Sequence, residues 1–169
     1  MTVRELGEIK MATVIPNRMA GRMDGDFVVF IIGARINSWW KPWRYFWILA
    51  SMPKMLRELS NLPEDETGFI GYTNLGVSTN IQYWRSFEQL EAYAKARDRA
   101  HLPYWAMFNK RMKTARGDLG IWHETYLVKA GQYEAVYSGM PPHGLGAAGT
   151  LEPATGHREA ARGRLGATD

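Results

Sequence analysis

FVVFIIGARI, residues 27–36, is a nearly continuous apolar run that is rich in β-branched side chains. Such a run is typical of a strand that is buried on both faces in the middle of a sheet. Gly33 lies within it, and a glycine inside a strand indicates a bulge or the close approach of backbone or ligand. We therefore take this segment as the central strand of the fold and place the other elements around it.

The segment after this strand predicts helices and then a hairpin. Pro42 is well placed at the first helical position, and aromatic and apolar residues then recur at helical spacing. Pro53 is expected to break or kink this helix, and a second short helix is expected to follow. Two short strands come next, TGFIGYTN (67–74) and NIQYWR (80–85), and the linker between them has the length and the glycine of a hairpin turn.

A capping box marks the start of the next helix. Ser86 and Gln89 have the required spacing, and apolar residues follow at intervals of three to four. A further helical piece is expected over residues 104–114. The alternating stretch IWHETYLV (121–128) predicts a strand, and QYEAVY (132–137) is expected to be its hairpin partner.

The order of these elements predicts the fold class. Strand, helices, strand, strand, helix, strand is the split βαβ arrangement of the ferredoxin-like α+β fold, here with an added C-terminal hairpin strand. An open sheet leaves a face and its edges to protect, and two copies packed sheet on sheet would form a dimeric α/β barrel. We expect an N-terminal arm (1–25), the α+β domain (26–140) and a Pro/Gly/Ala-rich C-terminal loop and tail (141–169).

The composition is that of an ordered globular protein. The chain has 169 residues, of which 46% are hydrophobic, and its 7 Trp, 8 Tyr and 6 Phe imply a core or pocket with broad flat walls. There is no cysteine, which excludes disulfides, thiolate metal sites and Cys nucleophiles and fits a cytoplasmic protein. The net charge of +4 is spread without a dense basic stripe, so we expect no nucleic-acid partner.

Targeting and membrane signals are weak. Residues 1–26 carry more charges than a secretory signal has, and the apolar region 27–52 is interrupted by charged residues and a proline. The segment Trp39-Trp40-Lys41-Pro42-Trp43 combines residue types that favour membrane interfaces. Peripheral membrane contact therefore stays as a disfavoured alternative.

Several stretches carry a resemblance to a known family. They are YWRSF (83–87) entering the second main helix, FVVFIIGARINSWWKPWRYFWILASMPKML, GIWHETYLVKAGQYEAVY and MPPHGLGAAGT. With the strand order, they resemble the antibiotic-biosynthesis-type monooxygenases, and more closely the group named after the fumagillin-pathway monooxygenase. The resemblance covers about residues 25–155.

This resemblance implies a homodimeric α/β barrel with a pocket between sheet and helices in each subunit. It also implies oxidation of a hydrophobic small molecule by dioxygen, in some relatives without metal or flavin. The wider superfamily includes haem users, namely haem-degrading monooxygenases, chlorite dismutases and aldoxime dehydratases. In the haem-degrading members the iron-ligating histidine ends the second helix, and His101 has a comparable place here.

Two histidines are the candidate catalytic residues. His123 shares a strand face with Ile121 and Thr125, so it is either a hydrogen-bonded core residue or a pocket residue. Glu124 points to the opposite face, which excludes a His123–Glu124 dyad. His101 lies where the helix ends, and it is either a partner of the helix C-terminus, a base that removes a substrate proton, or an axial haem ligand.

The candidate substrate-binding residues are aromatic walls and polar groups near strand ends. We expect most of the rings to belong to the core and a minority to touch the ligand. Arg35, on the central strand, should pair with a carboxylate such as Glu124 or with an anionic ligand. Asn37 and Asn74, near strand ends, could orient a carbonyl. The residues that we expect to bind the substrate are Arg35, Asn37, Trp40, Trp43, Trp47, Tyr72, Trp84, Trp105 and Tyr126.

Three classes of function remain at this point. The first is a monooxygenase-like enzyme that oxidises a hydrophobic small molecule, with His123 or His101 as the base and no certain cofactor. The second is a haem enzyme of the same fold, with His101 or His123 as axial ligand. The third is a non-catalytic module that binds a ligand.

Overall fold

The computed structural model describes residues 13–95, 110, 113 and 117–166, and of residues 44 and 47–51 it describes only the backbone. The described elements are seven strands, three α-helices labelled α1 to α3, two helical turns and a 3₁₀ turn. They are, in chain order, β1 Ile15–Arg22, β2 Phe27–Ile36, α1 Pro42–Ser60, α2 Glu64–Thr67, β3 Phe69–Asn74, β4 Thr79–Trp84, α3 Phe87–Lys95, β5 Leu119–Val128, β6 Val136–Met140, the turn Leu145–Ala148, β7 Thr150–Pro153, the 3₁₀ turn Gly156–Glu159 and the turn Ala161–Arg164.

The main sheet has the strand order β3-β4-β2-β5, and all neighbours are antiparallel. Strands β2 and β3, joined through α1, therefore run parallel with β4 between them, which is the split βαβ arrangement. This confirms the α+β ferredoxin-like prediction, with β2 in the interior of the sheet. The β3–β4 hairpin is also as predicted, and the amide of Gln89 donates to Ser86 Oγ at 3.2 Å at the start of α3.

One face of this sheet is packed by α1 and α3, and we call it the helix-side face. Its core is formed by Val28, Leu59, Phe69, Trp84 and Leu90, which are all buried. Alternation in β2 places Val28, Phe30 and Ile32 on this face. It is therefore the face on which a pocket between sheet and helices would lie.

A second sheet, of order β6-β1-β7, lies against part of the opposite face, which we call the second face. Its contact with the main sheet is a core of Met23, Phe27, Tyr83 and Leu145. Tyr133 fixes the junction, because its ring packs edge-on against Phe27 with centroids 5.0 Å apart and its hydroxyl donates to the carbonyl of Met23 at 2.9 Å.

Three expectations about the chain ends need correction. Residues 15–22 of the expected arm form strand β1, and residues 150–153 of the expected tail form its neighbour β7. The expected hairpin of 121–128 with 132–137 does not form, since β6 starts at Val136 and pairs with β1. The chain turns away from β5 because Asp26 holds Lys129 Nζ at 2.7 Å and the Ala130 amide at 2.9 Å.

The prediction of two short helices around Pro53 is also wrong. Helix α1 runs continuously from Pro42 to Ser60 with Pro53 inside it. A proline removes one helical hydrogen bond, but Leu56 and Leu59 on its C-terminal side are 3% and 2% exposed, and their burial against the sheet favours continuation of the helix.

Gly33 is approached closely by two side chains, and not by the backbone or ligand that the sequence led us to expect. A Cβ at this position would lie 2.7 Å from Trp122 Cε2 and 2.8 Å from Thr79 Oγ1. The indole of Trp122 therefore lies over the central strand, on the second face, in space that only a glycine leaves open.

Candidate functional site

A cavity of about 250 Å³ lies between the helix-side face and the C-terminal half of α1. Ile32, Leu56 and Ile121 give it apolar walls, and Met52 and Pro53 of α1 lie above them. The β3–β4 loop, with Val77 at 88% exposure, stands at its edge. The cavity is thus mainly apolar, and its polar groups come from the ends of β3 and β4.

The polar groups are joined to a buried chain of side chains along β4. Trp84 Nε1 donates to Gln82 Oε1 at 3.1 Å, and Gln82 Nε2 donates to Asn80 Oδ1 at 2.9 Å. The three residues alternate along the strand and share the helix-side face, and they are 0%, 7% and 2% exposed. Asn80 is the member of this chain that lines the cavity.

His123 lies on the same face and at the same level of the sheet as Asn80. The strand registers place Asn74 opposite Asn80, Asn80 opposite Ile32, and Ile32 opposite His123. These four residues form a row across β3, β4, β2 and β5. His123 is exposed, does not line the cavity, and its ring lies 5.5 Å from the ring of Phe30.

The structure places only some of the predicted binding residues at the cavity. Tyr72 and Asn74 line it. Trp84 is completely buried, so it is a core residue and supports the cavity from behind. Trp40 and Trp43 are 71% and 69% exposed near the start of α1, away from the cavity.

The remaining predicted binding residues lie away from the cavity or outside the described residues. Tyr126 belongs to the second face and is half-exposed, so it cannot share a pocket with His123. Its hydroxyl donates to Glu124 Oε2 at 2.5 Å, and this bond raises the pKa of Tyr126. His101, Trp105 and the side chain of Trp47 fall outside the described residues.

Arg35 and Asn37 are exposed at the end of β2. Within the described part of the chain, no ion pair joins Arg35 to Glu124, because Arg35 is opposite Gly120 and Glu124 is opposite Ile31. The end of β2 is held instead through Asp118, whose carboxylate accepts hydrogen bonds from Ser38 Oγ at 2.6 Å and from Lys41 Nζ at 2.9 Å.

Sequence reasoning missed Asn80 and Gln82. Both have the same parity as Trp84 in the strand NIQYWR, and that parity was the available signal. Two amides on the face that carries a large buried ring indicate either a solvent-facing edge or a buried hydrogen-bonded chain. Because β4 is an interior strand of the sheet, the two amides form a buried hydrogen-bonded chain.

The described residues were also searched for groups of possible metal ligands and for helices that could span a membrane. Among residues 13–95, 110, 113 and 117–166, no three His, Asp or Glu side chains gather into a group that could hold a metal ion. In the same described ranges, no helix combines the length and the apolar character needed to cross a bilayer.

Comparison with known proteins identifies the family. The model of the Monooxygenase af470-like family matches residues 27–145, which include all four strands of the main sheet and α1. The chain belongs to this family.

The chain is also similar to one curated member and to solved structures. It is 29% identical over 140 residues to Monooxygenase af470 of Aspergillus fumigatus, covering 72% of this chain and 46% of that protein. It thus spans about half the length of the curated relative that it matches. Two crystal structures of aldoxime dehydratase, one in complex with butyraldoxime, share 20% identity, with TM-scores of 0.58 and 0.59. They cover 78% and 82% of this chain and 41% and 43% of their own, and they show a shared fold.

Proposed function

We propose that this chain is a cytoplasmic monooxygenase-like enzyme that oxidises a hydrophobic small molecule in the cavity under α1. The observation that carries the proposal is the family match over residues 27–145, because all of the described residues that line the cavity lie in this range. The walls are mainly apolar, as a hydrophobic substrate and dioxygen require. Burial of such a substrate would supply about 25 cal/mol for each Å² of apolar surface.

The residues available for proton transfer support a cofactor-independent route. His123 lies on the helix-side face one strand away from Ile32 of the cavity wall, and imidazole is the side chain best suited to take a proton near neutral pH. In the proposed reaction His123 removes a proton from an activated CH₂ group, and the carbanion reduces dioxygen and combines with it as a hydroperoxide. Loss of water then gives a ketone, so that R₂CH₂ and O₂ become R₂C=O and H₂O.

Oxygen uptake with 2-tetralone tests this proposal, because its C1 protons lie between a ring and a carbonyl group. We expect the purified protein to consume oxygen and form the C1 ketone. His123→Gln should lower kcat by about 10² or more, the usual contribution of a positioned base. His157→Gln is the matched control, since His157 is exposed and lies on the C-terminal 3₁₀ turn.

Two results would overturn the enzyme assignment. Equal rates for wild type and His123→Gln would remove His123 from the reaction. A wild type that binds 2-tetralone but does not accelerate its oxidation over the buffer reaction would leave a non-catalytic binding module.

We keep a haem enzyme of the same fold as the second proposal, because the aldoxime dehydratases that share the fold fit it. None of the described residues that line the cavity is a histidine, and the candidate ligand His101 lies outside the described residues. Addition of hemin distinguishes the two proposals. A Soret band that disappears in His123→Ala or His101→Ala would establish the haem enzyme in place of the cofactor-independent route.

We also propose that the protein acts as a homodimer in which the second face is covered by a second copy. Trp122 and Tyr126 of this face are 41% and 50% exposed. Strand β5, which carries both, ends the main sheet, so its outer edge has no neighbour among the described strands. Light scattering should give twice the 19.2 kDa chain mass, and Tyr126→Lys should reduce it to one chain. A wild-type monomer at high micromolar concentration would contradict this.

A further inference from the structure

Four exposed aromatic rings lie within eight residues of the chain, where it leaves β2 and enters α1. They are Trp39, Trp40, Trp43 and Phe46, and they are 70%, 71%, 69% and 69% exposed. We call them the aromatic patch. Single apolar side chains at a surface are ordinary, but a group of large rings marks an interaction site. None of the four lines the cavity under α1, so the proposed small-molecule site does not account for them.

The turn that carries Trp39 and Trp40 is held from inside the protein. Asp118 accepts hydrogen bonds from Ser38 Oγ and Lys41 Nζ, and Ser38 and Asp118 are 7% and 8% exposed. The backbone carbonyl of Asp118 also accepts a hydrogen bond from the amide of Ser38 at 3.2 Å. Polar side chains are therefore buried at this turn while large rings face solvent, which is the reverse of the usual pattern. The rings are presented on a fixed base.

Helix α1 continues this surface with basic side chains. Four exposed residues of the helix fall within an arc of about 80° at 3.6 residues per turn, and they are Trp43, Phe46, Lys54 and Arg57. The buried leucines of α1 lie on the opposite side, against the sheet. The outward face of α1 thus carries rings near its N-terminal end and positive charges near its C-terminal end.

The charges of this segment have one sign. Residues 35–57 contain no Asp or Glu and five basic residues, which are Arg35, Lys41, Arg44, Lys54 and Arg57. Tryptophan rings favour the headgroup level of a bilayer, and basic side chains beside them are attracted to anionic lipids. A second copy seated on the same surface would bring like charges face to face, so the charge pattern favours a lipid surface over self-association.

We propose that the aromatic patch and the outward face of α1 dock on an anionic lipid surface, with α1 lying along the membrane plane. The contact is peripheral, because no helix in the described part of the chain is long and apolar enough to cross a bilayer. The exposure of the rings favours this role over the pocket walls that the sequence predicted. The docking surface lies on the helix side of the main sheet, opposite the proposed dimer face. The inference goes beyond the proposed reaction and does not depend on it.

Sedimentation of the full chain with lipid vesicles tests the proposal. The vesicles contain phosphatidylcholine alone or equal parts of phosphatidylcholine and phosphatidylglycerol. We expect binding to the mixed vesicles to be at least about tenfold tighter and to weaken as salt is added. Trp40→Ser combined with Trp43→Ser should weaken that binding by about tenfold or more for each ring. Phe87→Ser is the matched control, because Phe87 is 43% exposed and follows β4 at the opposite end of the main sheet.

A second pair of variants tests the contribution of charge. Lys54→Gln combined with Arg57→Gln should weaken binding to the mixed vesicles by about fivefold for each charge and leave binding to phosphatidylcholine unchanged. Arg162→Gln is the matched control, since Arg162 is exposed on the C-terminal turn Ala161–Arg164. All of these substitutions replace exposed side chains, and equal urea unfolding curves would establish that the fold is kept.

The wild-type protein provides a test that needs no variant for binding. With 5-fluorotryptophan incorporated, a spin-labelled lipid in bicelles of the mixed composition should broaden the ¹⁹F signals of Trp40 and Trp43. The signal of Trp84, which is completely buried, should stay sharp. A wild type that stays in the supernatant with mixed vesicles would overturn the proposal, as would equal binding by the Trp40/Trp43 double variant. A halved mass of that double variant in light scattering would assign the patch to a second copy and also overturn it. None of these measurements involves oxygen uptake, so this proposal and the enzymatic one fail separately.

Discussion

Gly33→Ala is the substitution whose effect the structure defines most closely. The new Cβ would lie 2.7 Å from Trp122 Cε2 and Nε1 and 2.8 Å from Thr79 Oγ1. Carbon atoms in contact are normally about 3.5–4.0 Å apart, so the indole must move outward by about 0.8 Å or more. Overpacking of this kind lowers the free energy of unfolding by about 1–3 kcal/mol. Replacing a glycine inside a strand raises it by about 0.5–1 kcal/mol, because the unfolded chain loses conformational freedom. We expect a net loss of about 1–2 kcal/mol in the free energy of unfolding.

Urea unfolding provides the assay, with Gly71→Ala as the matched control. Gly71 also lies in the main sheet, but its Cβ would meet only Ala148, at 3.3 Å, so its stability should change by no more than about 0.5 kcal/mol. Gly33→Ala combined with Trp122→Ala should show a favourable coupling, because the clash with the indole is removed while that with Thr79 Oγ1 remains. The measurements are made at two protein concentrations, since Trp122 belongs to the proposed dimer face. A Gly33→Ala protein as stable as the Gly71→Ala control, or an absence of coupling, would refute the reasoning.

Three further predictions concern the two cores and one surface pair. Leu59→Ala should destabilise the protein by about 3 kcal/mol in urea unfolding, because Leu59 is 2% exposed on the sheet; a loss below about 1 kcal/mol would contradict its place in the core. Burial raises the pKa of Tyr83 to about 12, so the folded state keeps a proton that the unfolded state loses above pH 10. Stability should therefore fall from pH 10 to about 12, and Tyr83→Phe should remove about 2 kcal/mol of that fall; equal pH profiles would contradict this. The hydrogen bond from Lys129 lowers the pKa of Asp26, so Lys129→Met should raise that pKa toward its usual value in an NMR titration, and an unmoved titration curve would count against the pair.

The sequence was sufficient for the main sheet because its signals are local. The apolar run of β2 indicates an interior strand, the glycine-containing loop indicates the β3–β4 hairpin, and Ser86 with Gln89 indicates the start of α3. Each of these patterns is set by neighbours in the chain. Together they leave few ways to arrange four strands and two main helices.

The second sheet could not be predicted, because its signals are not local. Strand β1 reads IPNRMAGR, and only Ala20 in it is buried, so there is no alternation to detect. Strand β7 has four residues and contains Pro153. Both are strands because β1 pairs with β6 on one side and β7 on the other, and those partners lie more than a hundred residues away in the chain.

The sequence indicates which residue types could line a site, but the direction in which each side chain points comes only from the structure. Trp40 and Trp43 were taken as pocket walls because they are large rings close to the central strand. They lie near the start of α1 and are 71% and 69% exposed, and the sequence pattern does not determine whether a ring at this position faces the cavity or solvent. Strand parity predicts which residues share a face with His123, because the period of two allows no intermediate direction. It does not predict that His123 is exposed and outside the cavity, where the sequence indicated a core or pocket residue.

The buried amides on β4 form a hydrogen-bonded chain that has a direction. Gln82 satisfies the donor of Trp84 but brings an NH₂ group that needs an acceptor. Asn80 supplies that acceptor and again brings an NH₂ group. Each amide thus uses its oxygen as an acceptor and presents a new NH₂ donor to the next side chain on the face. The last NH₂ group needs an acceptor from outside this chain of side chains, such as water or a ligand. Asn80 is the member of this chain that lines the cavity, and a donor left unsatisfied there would cost about 1–3 kcal/mol.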